Sequence, residues 1–324
     1  DGTPDYDELV EIMENTPSLT VAKEACWEAQ RYLWEEQPLS VAYQNLLISA
    51  YRKEPWTGYV NTEGAGVFDT WSLLKVRLQP GFGADANGQG GRFTISLAEQ
   101  MESTNTLNSN SAYTHDVLNL VYDGLYGRNP YSLQDGPSVA YDWKVEEIDN
   151  TDPAYQAGDL LKISYKMHET MKWHDGEPLT AEDVQYSYEL VNTSGSPVYL
   201  SSISDVTHVE VVDTYEVAIY CDQAGLFTFH KTAIPIWPKH IWESIAAPLT
   251  FSNPNPIGSG PYKWKSRTPG ELVVLERNDD YFYNPINYGH PIVEVVTATP
   301  ETTVQGGAGF ELIAALFAGI VAIP

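Results

Sequence analysis

Apolar residues recur along the chain in more than one rhythm. From Thr20 onward, Val21, Ala25, Ala29 and Leu33 stand four apart, the spacing of one helical face, and Pro38 ends the run. Ahead of that helix, Tyr6-Asp7-Glu8-Leu9-Val10 opens the chain and Thr16-Pro17-Ser18 interrupts it. Val41 to Tyr51 is apolar and aromatic enough for a buried strand or a short helix. Phe93-Thr94-Ile95-Ser96-Leu97-Ala98 alternates as a strand does, and Leu160 to Met167 reads as another. Val209 to Tyr220 alternates on both sides of Asp213-Thr214, which predicts a hairpin.

Between the strand at 160–167 and that hairpin lies Trp173-His174-Asp175-Gly176-Glu177-Pro178-Leu179-Thr180-Ala181-Glu182-Asp183-Val184. Asp175-Gly176 is a turn dipeptide, with Gly supplying a backbone conformation closed to other residues. Thr180 is a good N-cap, and Asp183 three residues on makes a capping-box pair. Leu179 and Val184 hold the staple positions that fix how the chain enters the helix. The string predicts an aromatic-ended strand, a tight turn and a capped helix.

Composition narrows the options. With 324 residues, 43% of them hydrophobic, the chain can bury one large core or two ordinary ones. A formal charge of −26 argues against nucleic acid as a partner, because neutralising phosphates requires clustered Lys and Arg. Residues 78–91 are rich in Gly, Gln and Asn with little to bury and read as a linker. Cys26 and Cys221 show no metal or redox spacing; they read as separate buried thiols, with a disulfide between them as the alternative. No secretory signal is visible and the chain starts at Asp1, which suggests a processed or excised piece.

Catalytic patterns are missing. His168 and His174 stand six apart, which fits no HExxH site, and His168-Glu169 lacks the second His. Lone histidines of this kind read as surface or hydrogen-bonded structural residues. Gly258-Ser259-Gly260 is not the G-x-S-x-G nucleophile elbow, and no Walker or Rossmann glycine pattern occurs. The chain reads as no enzyme, with no cofactor and no metal.

The Trp173–Val184 string, followed by Tyr186-Ser187-Tyr188, resembles the signature of the family 5 extracellular solute-binding proteins, the peptide- and nickel-type receptors of ABC importers. Other segments resemble the same family in the same order. They are Phe93–Ala98 as its opening strand, Thr106-Leu107-Asn108 as its T-L-N-P turn with Ser109 for Pro, and Val117–Leu125 as its first helix, ending Y-D-G-L with Gly124 as C-cap. Val139–Val145, Ile236–Glu243, Gly258–Tyr262 and Leu275–Tyr281 follow. Residues 1–77 resemble the closing section of such a receptor, through Ala29-Gln30-Arg31-Tyr32-Leu33, Pro38-Leu39 and Ala50-Tyr51-Arg52-Lys53. The order is therefore tail (1–77), linker (78–91), head (92–296). A piece of a tandem array is favoured over a permuted first lobe.

The resemblance implies an α/β, periplasmic-binding-protein-like (type II, family 5) mixed-sheet lobe whose second lobe is largely missing here. It implies an extracellular component of an ABC-type importer. A small-molecule or peptide ligand would be held at an interlobe cleft, with the ABC permease subunits as partners. The alternative is a degenerate tandem copy acting as a structural or interaction domain at the cell surface. By the same resemblance Asn108, Ser109, Asn110, Ser111, Ala112 and Tyr113 face the ligand, and Ser259 and Gly260 border the cleft. Residues 297–308 form a Thr/Pro spacer, and 309–324, with the apolar run Leu312–Ile323, resembles an archaeal membrane-anchoring tail lacking its Arg cluster. That run falls short of the about 20 residues a span requires.

Overall fold

The computed structural model describes residues 4–38, 50–83 except 63 and 68, 90–149 except 98, and 151–283. The expected strand or helix at 41–51, the spacer at 297–308 and the apolar tail at 309–324 fall wholly or almost wholly outside them. No helix among the described residues is long and apolar enough to cross a membrane.

In chain order the elements are α1 (Tyr6–Asn15), α2 (Leu19–Glu36), β1 (Trp56–Thr57), α3 (Thr70–Lys75), β2 (Arg77–Leu78) and α4 (Ala112–Leu118). They continue with β3 (Tyr126–Arg128), β4 (Asp135–Pro137), β5 (Ala140–Glu147), β6 (Leu161–Met167) and α5 (Ala181–Ser194). The last are β7 (Val206–Asp213), β8 (Glu216–Cys221), α6 (Thr228–Lys231), α7 (Lys239–Trp242), β9 (Tyr262–Thr268) and β10 (Leu272–Arg277). Two compact units result, one from Asp1–Ala50 with Leu97–Tyr281, the other from Tyr51–Ser96 with Phe282–Pro324.

The larger unit is built on a four-stranded antiparallel sheet in the order β5-β6-β8-β7. The predicted hairpin forms its β7–β8 edge, turning at Asp213-Thr214. Along β6, Leu161, Ile163, Tyr165 and Met167 alternate into the core. Cys221, Ile219 and Val217 pair across from the first three on the same face. Helix α5 covers that face with Val184, Tyr188, Leu190 and Val191. Strand β8 is buried on both faces, because Ile148 and Tyr155 cover Ala218 and Tyr220 from the other side. The Phe229 ring stacks on Tyr126 at 4.6 Å and lies 6.1 Å and 6.2 Å from the rings of Trp143 and Tyr165, closing one end of the core.

The 173–184 string folds much as its local chemistry dictates. Gly176 sits at φ +100°, where only glycine is unstrained, and Trp173 N–H donates to Glu177 C=O at 2.8 Å across the turn. Thr180 N–H donates to Asp183 Oδ2 at 2.9 Å in a capping box, and Leu179 and Val184 are completely buried. Asp183 also accepts from Lys239 N–H at 3.0 Å, so the cap ties α5 to α7. One part of the expectation is corrected. The strand stops at Met167, a turn at His168–Met171 follows, and Trp173 lies in the small loop closed by the Lys172–Pro178 bridge.

Three further expectations need correction. Phe93 to Leu97 joins no ladder among the described residues. Alternation provides the two faces of a strand, but a strand needs a neighbour for its backbone, and here Phe93 is held by ring contact with Trp56 at 5.2 Å. Gly124 is no helix cap: α4 ends at Leu118 with Asn119 as cap, while Gly124 bridges Pro235 where a side chain would meet Ile234 O at 3.3 Å. In α2 only the middle of the predicted stripe is buried; Ala22, Ala25 and Ala29 face inward and Val21 and Leu33 are each 41% exposed. A spacing of four overshoots the 3.6-residue turn, so the two ends of such a stripe swing outward.

Helices α1 and α2 pack through Leu9, Ala25 and Ala29, and the end of α1 docks where Leu226 N–H donates to Thr16 C=O at 2.8 Å. In the smaller unit β1 and β2 pair, and the Ser72 hydroxyl bridges both backbone groups of Val60 at 2.9 Å. The start of the predicted linker is fastened there, Gln79 N–H donating to Pro55 C=O at 2.8 Å. Cys26 and Cys221 are both free thiols.

Candidate functional site

The segment expected to face a ligand follows a short 3-10 turn, Thr106–Asn108, and runs into α4. Asn105 fixes it. Its side-chain amide donates to Pro248 C=O at 2.7 Å and Phe251 C=O at 2.9 Å, and its Oδ1 accepts from Leu107 N–H at 3.0 Å. Thr106 Oγ1 accepts from Trp237 Nε1–H at 3.0 Å, and the Ser196 hydroxyl donates to Leu107 C=O at 2.6 Å. The loop is thus held by partners more than 85 residues away in sequence, of which Trp237 and Ser196 are buried.

On this base Asn108, Asn110 and Ala112 are exposed, and Ser111 and Tyr113 are half-buried. Asn108 Nδ2 donates to Leu249 C=O at 3.0 Å, and the Ser111 hydroxyl caps α4 by accepting from Thr114 N–H at 3.4 Å. Ser109 is buried, its carbonyl held by His115 Nε2 at 2.8 Å.

Ser259 and Gly260 lie elsewhere in the unit, inside a buried polar knot. The Ser259 hydroxyl donates to Asp123 Oδ2 at 3.1 Å, and Tyr281 OH donates to Asp123 Oδ1 at 3.0 Å. Gly260 N–H donates to Val121 C=O at 2.8 Å, and its carbonyl accepts from Asn278 Nδ2 at 3.1 Å and His174 Nε2 at 2.9 Å. Asn253, in the left-handed region at φ +41°, donates to Thr104 C=O at 3.1 Å and to Tyr122 OH at 3.0 Å. A side chain at position 258 would lie 1.9 Å from Val121 O, so only glycine lets the turn approach that strand of backbone.

Burial sets the ionisation of the knot. The Asp123 carboxyl is pushed up to about 6 by desolvation, with the Tyr281 and Ser259 hydrogen bonds working the other way. Desolvation likewise takes His174 down to about 4, opposed by its bond to Gly260, reinforced by Lys263 and opposed by Asp175. Tyr122 is pushed well up by burial. Ser259 is buried with its hydroxyl on the Asp123 carboxyl, a contact that braces the turn from inside.

The structure therefore separates the two groups of expected residues by surroundings: Asn108 and Asn110 are exposed, while Ser109 is buried and the side chain of Ser259 points into the interior. Asp123, Asn105 and Asn253 were not anticipated individually. Asp123 stood within Y-D-G-L and Asn253 was followed by Pro, neither of which names a partner, and Asn105 carried no such signal. An open depression of about 500 Å³ is lined in part by Tyr155, Asp159, His208, Glu210 and Tyr220, where Tyr220 OH donates to Glu210 at 2.9 Å and Asp159 accepts from the Thr207 hydroxyl at 2.6 Å. Among the described residues no cluster of His, Cys, Asp and Glu could hold a metal ion.

Comparison with known proteins gives this arrangement its lineage. The family described as bacterial extracellular solute-binding proteins, family 5 Middle, matches residues 136–306. The oligopeptide-binding protein AppA of Bacillus subtilis is 30% identical over 217 residues, which are 64% of this chain and 37% of AppA. The peptidoglycan-binding protein YepA of Agrobacterium fabrum is 27% identical over 204 residues, 60% of this chain and 31% of YepA. Among solved structures, Bacillus subtilis AppA in complex with a nonapeptide aligns at 30% identity and TM-score 0.44, covering 55% of this chain and 34% of AppA. NikZ from Campylobacter jejuni in complex with Ni(L-His) aligns at 23% identity and TM-score 0.45, covering 58% and 35%. The chain spans about a third of the length of the curated relatives it matches. Members of the matched family bind ligands outside the cytoplasm and are not enzymes. The chain belongs to the family 5 extracellular solute-binding proteins.

Proposed function

We propose that this chain contributes the ligand-facing part of one lobe of a peptide receptor serving an ABC-type importer. Asn108 to Tyr113 would meet the peptide main chain across an interlobe cleft, and Ser259 and Gly260 would shape the wall behind it through the knot. The observation that carries this reading is the family match over residues 136–306. Two others support it. An oligopeptide-binding relative shares 30% identity over 64% of the chain. Exposed Asn108 and Asn110 also sit on a loop braced by buried Asn105, the arrangement of a binding loop on a rigid scaffold. In the same proposal the apolar run Leu312–Ile323 tethers the receptor to the outer face of the membrane; deleting 309–324 should then shift the protein from the membrane fraction to the soluble one.

Calorimetric titration of this chain, and of the longest polypeptide encoded around it, with a pool of di- to hexapeptides tests the reading. Heat and a raised melting temperature, both diminished by Asn108→Ala with Asn110→Ala, support it. No heat from either polypeptide sinks it. Heat that the double variant leaves unchanged removes 108–113 from the site.

A further inference from the structure

His174 and Asp123 hold the same three-residue turn from two sides. The Gly258 N–H donates to His174 Nδ1 at 3.3 Å, and Gly260 C=O accepts from His174 Nε2 at 2.9 Å. One ring nitrogen therefore accepts and the other donates, which requires the neutral imidazole with its proton on Nε2. His174 N–H also donates to Gly258 C=O at 2.8 Å, so the 173–177 turn and the 258–260 turn are joined at three points. The second turn is in turn docked on the 120–123 segment, through Gly260 N–H to Val121 C=O at 2.8 Å and Tyr262 N–H to Leu120 C=O at 2.9 Å.

We propose that His174 is a proton-operated catch: its neutral ring bridges Gly258 and Gly260 and keeps the 258–260 turn docked on residues 120–123, and a second proton on the ring releases that turn. The physical ground is the direction of the hydrogen bonds. A proton on Nδ1 would point at the Gly258 N–H, replacing an acceptor with a donor against a donor.

The charged groups around the ring do not relieve this. Lys263, at the start of β9, repels the imidazolium. Asp175 attracts it, but its Oδ2 is already 2.9 Å from His240 Nε2 of α7. Asp123, reached through Ser259, holds its own proton over the acidic range because burial pushes it up to about 6, so it offers no counter-charge there. Tyr281 and Asn278, on the far side of the turn, bring no charge. Burial of the ring lowers its basicity to about 4, so the release belongs to mildly acid conditions.

Amide hydrogen exchange between pH 6.5 and 3.5, corrected for intrinsic rates, tests the proposal when read beside the NMR titration of the His174 ring in the same protein. Between the ordinary imidazole value of 6.5 and the ring's own midpoint of about 4, protection at Gly260 and Tyr262 should fall about tenfold per pH unit, the slope of one coupled proton, and level off below that midpoint. Protection in β6 and β8 should stay unchanged. His174→Gln, whose amide can both donate and accept but takes no charge, should leave Gly260 protected at every pH. If that variant does not fold, the wild-type loss of protection down to the ring's midpoint and its levelling below it still decide. Gly260 protected through the ring's midpoint, protection lost together with β6 and β8, or a loss that persists in His174→Gln and vanishes in Asp123→Asn would each overturn it.

Discussion

Replacing Asp123 by Asn puts a number on the buried knot. The folded carboxyl stands at about 6 against an ordinary 3.8, a difference worth roughly 3 kcal/mol at 1.36 kcal/mol per pH unit. The sign follows from which state holds the proton more tightly. The folded protein does, so the wild type loses stability as pH rises from the ordinary value through about 6. Of the total, about 2 kcal/mol falls between pH 4.5 and 7.5. Asn cannot ionise and still accepts through Oδ1 from Tyr281, while the Ser259 hydroxyl can turn to accept from the new amide. Urea denaturation of both proteins at pH 4.5 and 7.5 should therefore show the variant gaining about 2 kcal/mol on the wild type between the two. His174 titrates with the opposite sign, because its folded value is lowered, but it is present in both proteins and drops out of the double difference. A difference that stays constant within about 0.5 kcal/mol would show Asp123 ionising as an exposed acid, and the buried knot would be wrong.

Gly258→Ala places a methyl 1.9 Å from Val121 O, where backbone and not a flexible side chain must yield, and should destabilise by about 1–3 kcal/mol in the same urea assay; an unchanged midpoint would mean the turn is loosely docked. Asn105→Ala strands Pro248 C=O, Phe251 C=O and Leu107 N–H, and should cost roughly 2–3 kcal/mol while raising amide exchange through 106–113; exchange unchanged there would show the loop is held by other means. Burial pushes the Cys221 thiol up to about 12, so maleimide at pH 7.5 should label Cys26 in the native protein and Cys221 only on unfolding. Equal labelling rates would place Cys221 at the surface.

The parts of the fold that were legible in the sequence are those governed by neighbours. Gly176, Thr180, Asp183 and the Leu179–Val184 staple each act within a few residues, and all sit as local rules require. The hairpin at Asp213-Thr214 is likewise local. Phe93–Leu97 failed because a strand is a property of two segments, and nothing in an alternating run says whether a partner exists. Val21 and Leu33 failed by phase, a fault that grows with helix length. The candidate residues divide in the same way. An Asn or Ser in a loop looks alike in sequence whether it lies exposed, as Asn108 does, or faces a buried carboxylate, as Ser259 does. What decides is a partner far along the chain: Asn105 finds Pro248, and Asp123 finds both Ser259 and Tyr281.

Those distances have a consequence for how the protein comes to be folded. Thr104 is joined to Asn253 and Asp123 to Tyr281, separations of 149 and 158 residues, while the four-stranded sheet needs nothing beyond Cys221. During synthesis at roughly 5–20 residues per second, the sheet can therefore be complete for several seconds before Tyr281 emerges to close the knot. Tyr122 is without its partner until Asn253 emerges, and Asp123 lacks Tyr281 for the whole interval and can take an ordinary hydrated charge. The step that closes this knot is then the withdrawal of that carboxylate from water, a step that acid should speed and alkali should slow.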